Sequence, residues 1–567
     1  MVELALGRYR ISMLEDEGGW WRADKSPGHG EDYAFFLDGE GPFPDPRSPW
    51  QPRGVDGPSM WLDHCRFEWS DRGFQAPPLS SAVIYELHVG TFTQEGTFLG
   101  VMEKLDHLVE LGVSHVELMP VAEFSGDRGW GYDGASLYAP HHAYGPPEDL
   151  KKLVNACHDR GLGVILDVVY NHLGPKGNYL SRFGPYFTDL YRTPWGEAVN
   201  FDGSYSDEVR RFFIDNALMW LGEYHFDGLR LDAVHAFFDF SARHFLEELA
   251  LEVKELEARL GRHLVLIAES DLNDPRIVRP TYAGGHDIHA QWNEDFHHAL
   301  HAALTGESQG YYADFGGLAP LAKALEKGFV YDGGYSVFRR RRHGRPAPDL
   351  CGHRFVGCLQ NHDQVGNRAG GERTSHLLTT DQLKIGAALV LTSSFIPMLF
   401  QGEEWGAGTP FLYFTAHKDE QLAREVFRGR MAEFADFGWQ PEDIPDPQAL
   451  ETFVRSRLDW QEIDQDIHAE LLNWHKQLIR LRRQCPDLSS GRLDQVRVDF
   501  HAEDEWLVMH RGLAGVACNF AFTQQTVPLK DPAMDMRIVL ASHADAVLYG
   551  QDLFLPGHGV AVLGCKS

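Results

Sequence analysis

The chain has 567 residues, 43% hydrophobic and 24% charged, the composition of a large globular protein with room for about two to four domains. Its net charge of −30 argues against a nucleic-acid polyanion or an acidic membrane surface as partner and leaves a neutral ligand as the simplest expectation. The start, MVELALGRYRISML, lacks a signal-peptide core, no run of eighteen apolar residues occurs, and the seven scattered cysteines form no CxxC pair, which together predict a soluble, cytoplasmic protein with reduced thiols.

Residues 1–75 are rich in Gly, Pro and Trp, with aromatic runs such as GGWWRA and DYAFFLDGEG, and read as a small β module. QAPPLSS (75–81) is a linker. From residue 83 strands and helices alternate. VIYELHVGTF is a strand, and FLGVMEKLDHLVELG spaces Val101, Leu105, Leu108 and Leu111 at helical intervals. HVELMPV is the next strand, and PPEDLKKLVNACHDRG is a helix with Pro at its start and Gly at its end. VILDVVYNH is a strand, and 173–205, full of Gly, Pro and aromatics, is a long excursion. DEVRRFFIDNALMWLGEYH is helical and leads into the strand FDGLRLDAVH (226–235). HFLEELALEVKELEARLG precedes LVLIAES, and the pattern continues through AQWNEDFHH, FVGCLQNHD and MLFQGEEWG.

About eight strands separated by helices predict an α/β fold, a closed parallel (β/α)8 TIM barrel over 76–490. A doubly wound sheet would want a glycine-rich phosphate turn after its first strand, and VGTFTQEGTFLG is not one. After a last helix near 464–484, residues 491–567 alternate apolar and polar positions and read as a C-terminal all-β domain.

The barrel strands run apolar and end polar. VILDVVYNH ends in Asn171 and His172, GLRLDAVH carries Arg230, Asp232 and His235, LVLIAES ends in Glu269, and FVGCLQNHD ends in His362 and Asp363. In such a barrel the C-terminal strand ends meet at one face, where these folds place their chemistry. Arg230 and Asp232, two apart on a strand, project to the same side, while Leu229 and Leu231 project to the other. An arginine beside Asp232 would hold that carboxylate ionised, and Glu269 among other acids would keep its proton, the division of labour that glycoside cleavage requires. Three acids with histidines could also hold a metal, but no HxH or HExxH spacing occurs and Arg230 would compete with a cation; no required metal and no cofactor are expected.

Four segments in order, DVVYNH (167–172), GLRLDAVH (228–235), IAES (267–270) and QNHD (360–363), resemble the hallmark segments of the α-amylase family, glycoside hydrolase family thirteen. By that resemblance Asp232 is the nucleophile, Glu269 the general acid/base, and Asp363 the carboxylate that fixes the sugar hydroxyls. His172, Arg230 and His362 match residues lining the subsite before the cut, and Tyr132 in GWGYDGASLYAP matches the aromatic platform beneath that sugar. EDFHH (294–298), NHDQVGNR (361–368), QGEEWGAGTPFLYFTAHKDEQL (401–422) and DIPDPQALETFVRSRLDW (443–460) are similar to the maltooligosyltrehalose trehalohydrolase branch of that family. The resemblance implies an oligosaccharide substrate, maltooligosyltrehalose, cut at the α-1,4 bond beside its terminal trehalose with retention of configuration. His235, Glu294, Asp295, His297, Gln364 and Arg368 are substrate-contact candidates by position.

Members of the branch begin with a β-sandwich, and this chain opens about where its third strand would be, so a shortened module is expected at 1–75. A monomer or weak homodimer is expected. Glycogen branching enzymes and isoamylase-type debranching enzymes share the four segments and differ in acceptor or bond. A non-enzymatic glycan-binding descendant would have lost a catalytic carboxylate, and all three stand here.

Overall fold

Eight short parallel strands form the centre of the computed structural model, which describes residues 1–435, 444–529 and 536–565. They are β1 (Ile84–Leu87), β2 (His115–Leu118), β3 (Gly163–Val168), β4 (Gly228–Leu231), β5 (Val265–Ala268), β6 (Ala290–Trp292), β7 (Phe355–Cys358) and β8 (Ile396–Phe400). They pair in sequence order, and β8 closes on β1 through Met398–Ile84, Leu399–Tyr85 and Phe400–Glu86. The barrel is the one the alternating pattern predicts.

Strand alternation divides its residues into two sets. Tyr85, Leu87, Val116, Leu118, Leu166, Leu229, Leu231 and Leu266 face the surrounding helices and join the largest apolar cluster. Ile84, Ile165, Val265, Ile267, Val356, Ile396 and Met398 fill the barrel interior. Above them the same inward register delivers Glu86, Glu117, Asp167 and Arg230, all buried. The interior thus changes from apolar to charged along the strand direction.

The helices obey their end signals. Pro147–Asp159 starts on proline with Glu148 and Asp149 in its first turn. Phe245–Leu260 stops at Gly261, whose φ of 65° closes a left-handed cap. One unit departs from the alternation. Between β5 and β6, Ser270 to His289 form no α-helix, only a 3-10 turn at Thr281–Ala283. Pro275, Pro280, Gly284 and Gly285 interrupt any helical run there, and Arg279 ties the segment down through two parallel bonds to Asp349 at 2.7 and 2.6 Å.

The N-terminal segment forms a five-stranded antiparallel sheet (Val2–Leu6, Tyr9–Ser12, Asp32–Leu37, Glu40–Phe43, Ser59–Met60) with a separate short ladder, Leu14–Glu15 on Trp21–Arg22. The 173–205 excursion contains a hairpin, Phe187–Thr193 with Gly196–Val199, that reaches the barrel mouth. After the helix Asp466–Gln484 come a five-stranded and a three-stranded antiparallel sheet. Cys65, Cys157, Cys351, Cys358, Cys485 and Cys518 are free thiols.

The stretch FDG fixes where β4 enters the barrel. Buried Asp227 accepts from Val164 N (2.9 Å) and Arg262 Nη2 (2.9 Å) and pairs with His158 Nε2 (3.0 Å), linking β3, β4 and two helix ends. Gly228 follows because a Cβ there would meet Val265 Cγ2 at 2.4 Å and the Val265 carbonyl at 2.9 Å. Asp227→Ala takes one partner from buried His158, which keeps Asp71, and one from half-buried Arg262, and leaves the Val164 N–H unpaired, which should cost about 1–3 kcal/mol. A thermal melt checks this: a clearly lowered midpoint is expected, and an unchanged one contradicts the role.

Candidate active site

The end of β4 carries the organising group. Arg230 is fully buried, and its Nη1 donates to Asp167 Oδ1 (2.9 Å) and Oδ2 (2.7 Å) and to Asp232 Oδ1 (2.8 Å). Its Nη2 donates to Glu269 Oε2 at 2.7 Å. The guanidinium lies over the Trp292 ring, 4.1 Å from its centroid. Just past Asp232 the chain turns through Ala233 at φ 40°, a left-handed conformation costly for a residue with a Cβ. That turn aims the Ala233 N–H at Glu269 Oε2, 2.9 Å away. Asn171 Nδ2 donates to the second oxygen of Asp232 at 3.1 Å.

A second chain of contacts runs from β1. Glu86 accepts from the His362 backbone N–H (3.0 Å) and pairs with His362 Nδ1 (2.6 Å). His362 Nε2 contacts Tyr132 Oη at 2.7 Å, and that hydroxyl donates to Asp167 Oδ2 at 2.6 Å. The Tyr132 and His362 rings stack at 5.1 Å. Burial alone would lower the His362 pKa, but Asp363 and Glu86 raise it to about 9, so the ring is an imidazolium at neutral pH. Asp363 sits at the start of the short helix His362–Gly366 and accepts from Asn367 Nδ2 at 3.1 Å.

Above these groups opens a cleft of about 770 Å³ whose walls include Asp232, Glu269, Asp363, Tyr132 and His172. Trp195, at the tip of the 187–199 hairpin, stacks on His172 with centroids 4.8 Å apart and planes 9° from parallel. Burial pushes Asp232 and Glu269 upward from the ordinary carboxylate range, and Arg230 is the main opposing influence on each. Arg230 therefore serves both acids rather than Asp232 alone, a correction to the sequence expectation. Asp167 and Asp363 also push Asp232 upward and Asp232 pushes Glu269, so these acids do not titrate independently.

The predicted contact residues divide. His235, Glu294 and Gln364 line the cleft with the residues just named. His235 Nδ1 and Gln364 Oε1 are buried there without a hydrogen-bond partner. Arg230 lies beneath the floor. Asp295, His297 and Arg368 are not among the lining residues. Asp295 accepts from Asn273 Nδ2, Val330 N and Tyr331 N at 2.7–2.8 Å and anchors a loop. His297 Nδ1 donates to the Leu359 carbonyl at 2.8 Å. Arg368 makes two parallel bonds to Glu307, both 2.9 Å. Helical geometry explains the split, since in Glu294–Thr305 only residues three or four apart share a face, and the cleft takes Glu294 and His298. Of the motif 443–460, Asp443 lies outside the described residues.

Four site residues carry no assignment from the sequence: Asp167, Glu86, Trp292 and Trp195. Asp167 and Glu86 carry the same signal as Arg230, a charge inside an apolar strand. Trp195 carries none, because only the hairpin brings it over His172.

A sequence model described as Alpha amylase, catalytic domain, matches residues 65–188. A malto-oligosyltrehalose trehalohydrolase of Arthrobacter ramosus is 54% identical over 85% of this chain and 84% of its own length. The chain belongs to the malto-oligosyltrehalose trehalohydrolase family. A Mycobacterium tuberculosis trehalohydrolase is 48% identical over 93% of this chain and 92% of its own. A Vibrio cholerae 1,4-alpha-glucan branching enzyme is 32% identical over only 52% of this chain and 45% of its own. Among solved structures, a Salmonella typhimurium chain described as an alpha amylase superposes with a TM-score of 0.90 at 39% identity, covering 99% of this chain and 95% of that one.

Glu294, half-buried on the cleft wall, has its pKa raised to about 8 by burial and by Glu269, Asp271 and Asp363. The unfolded chain releases this proton near 4.5. Between those values the fold holds a proton that the unfolded state has lost, so stability falls as pH rises through the window. Glu294→Gln should remove that loss. The melting midpoint of the variant relative to wild type should rise between about pH 4 and about pH 8.5, and a pH-independent difference contradicts the assignment.

Proposed function

We propose that this chain is a retaining glycoside hydrolase that cleaves the α-1,4-glucosidic bond next to the terminal trehalose of maltooligosyltrehalose, releasing trehalose and a maltooligosaccharide. The observation that carries the reading is the Asp232–Glu269 pair, bridged by one guanidinium at the floor of an open cleft that also contains Asp363. The Arthrobacter relative's name, at 54% identity, supports the substrate.

Charge bookkeeping supports the division of roles. Arg230 and the His362 imidazolium face the buried carboxyls of Glu86, Asp167, Asp232 and Glu269. Glu117, buried in the same layer, is pushed well above the carboxylate range by burial and by Glu86 and Asp167, and two cations remain too few for the carboxyls that are left, which favours protons kept within the layer. Asp232 and Glu269 are the buried carboxyls of this group that face the cleft, and burial raises both, so a proton held on this pair is the one within reach of substrate. Glu269, with Asp232 as its like-charged neighbour, is the acid in this account.

In the first step the Asp232 carboxylate attacks the anomeric carbon while Glu269 gives its proton to the departing trehalose oxygen. In the second, Glu269 takes a proton from water, whose oxygen attacks the same carbon and releases Asp232. Two inversions return the α configuration. Asp363 holds the hydroxyls of the sugar being cut, Tyr132 and His172 lie against its ring, and the unpartnered His235 and Gln364 atoms are placed to bind the trehalose portion. Trp195 offers a flat face for a neighbouring glucose. Among the described residues no helix is long and apolar enough to cross a membrane, and we assign the reaction to the cytoplasm.

Product analysis on maltooligosyltrehalose beside plain maltooligosaccharide tests the function. Trehalose from the first with little change in the second is expected, whereas new α-1,6 branches would make the chain a branching enzyme. Asp232→Asn and Glu269→Gln should each lower kcat by at least about 10³-fold with the melting curve still cooperative. Substantial residual hydrolysis in either would reassign its role.

A further inference from the structure

We propose that Glu123, His141 and His142 form a binding site for a divalent transition metal of the zinc class, placed at the base of the loop that carries the cleft's aromatic wall. Glu123 lies on the short strand Ala122–Phe124, and the two histidines follow directly after its antiparallel partner, Gly134–Pro140. The donor atoms lie within 4.8 Å of one another, and Glu123 and His141 are completely buried. His141 Nδ1 stands 3.2 Å from Glu123 Oε2, and His142 Nδ1 stands 2.9 Å from Glu123 Oε1. Zinc bonds of about 2.0–2.1 Å in tetrahedral array place neighbouring ligand atoms a little over 3 Å apart, so each histidine already stands near coordinating separation from Glu123, and the set, spread over up to 4.8 Å, closes on the ion by a small side-chain movement.

The state of His141 points to a ligand beyond these side chains. Its Nε2 is buried without a hydrogen-bond partner, and its Nδ1 stands 3.2 Å from Glu123 Oε2 out of good hydrogen-bond alignment. Its ring stacks on Phe124 at 3.7 Å, which fixes its direction. An unpartnered buried imidazole aimed at a carboxylate is costly unless something sits between them.

The surrounding groups match an outer shell. His142 Nε2 lies 3.4 Å from Asp127 Oδ1, so metal at Nδ1 would leave Nε2–H directed at that carboxylate. Glu123 Oε2 also accepts the His142 backbone N–H at 2.7 Å, which orients it. Two imidazoles and one carboxylate with a position left for water suit zinc and disfavour magnesium or calcium. Bound there, the ion would tie Glu123, just before residues 125–133, to the segment that follows the strand Gly134–Pro140, beside the loop that delivers Trp130, Tyr132 and Asp133 to the cleft. It would be a staple for the substrate wall and takes no part in bond cleavage.

Calorimetric titration of zinc chloride into chelator-treated full-length protein tests the site, with magnesium and calcium chloride as comparators. One saturable zinc site is expected, accompanied by a raised melting midpoint, with neither comparator binding. Glu123→Gln and His142→Ala should each weaken zinc at least about 100-fold. His142 is partly exposed, so its variant keeps the test open if Glu123→Gln fails to fold. The absence of a saturable zinc site in the wild type, or a site retained at full affinity in His142→Ala, overturns the proposal. Trehalose release is scored separately in metal-free protein, where activity is expected to persist.

Discussion

The active site depends on one buried guanidinium. Placing a full charge at the centre of a barrel costs several kcal/mol unless it is closely paired with opposite charge. Arg230 meets that cost with three carboxylates from three neighbouring strand ends, Asp167, Asp232 and Glu269, and with the face of Trp292. The same contacts fix in space the two acids of the proposed mechanism. Asp232 is held by Arg230 and Asn171, Glu269 by Arg230 and the Ala233 N–H, so neither acid can rotate away without leaving a buried charge unpaired. The αL turn at Ala233 is the local strain that this arrangement tolerates.

Beyond Arg230 the polar layer continues as a connected path through Asp167, Tyr132 and His362 to Glu86. Its consequence is electrostatic. The imidazolium of His362 and the guanidinium of Arg230 flank the cleft floor, and the acids that face substrate feel two fixed positive charges in a region of low dielectric. An oxocarbenium-like transition state needs negative charge nearby, and Asp363, the most accessible of these acids, sits where it can supply it.

Much of this was readable in the sequence because strands and helices leave different periodic marks. The inward pairing of Arg230 with Asp232 follows from a two-residue spacing, and the barrel from strands ending in charge. What failed did so for identifiable reasons. Asp295 and His297 were grouped with Glu294 by adjacency, but a helix turns about 100° per residue and sends them into the frame, while His298 comes round to the cleft. A helix between β5 and β6 was implied by alternation and is absent because Pro and Gly replace the periodic signal there. Glu86 and Asp167 were visible as charges within apolar strands, yet their partners lie hundreds of residues away or on other strands, and only closure of the barrel pairs them. Trp195 depends wholly on how the 187–199 hairpin folds over the mouth.

The central claim is that Arg230 presents Asp232, and no other carboxylate, as the nucleophile. Its most direct test is mass spectrometry of Glu269→Gln protein incubated with an α-maltosyl fluoride, a donor whose leaving group needs no protonation. The account predicts a covalent maltosyl adduct confined to the peptide containing Asp232. An adduct on Asp363 or Asp167, or steady turnover through an inverted product without any adduct, would contradict it.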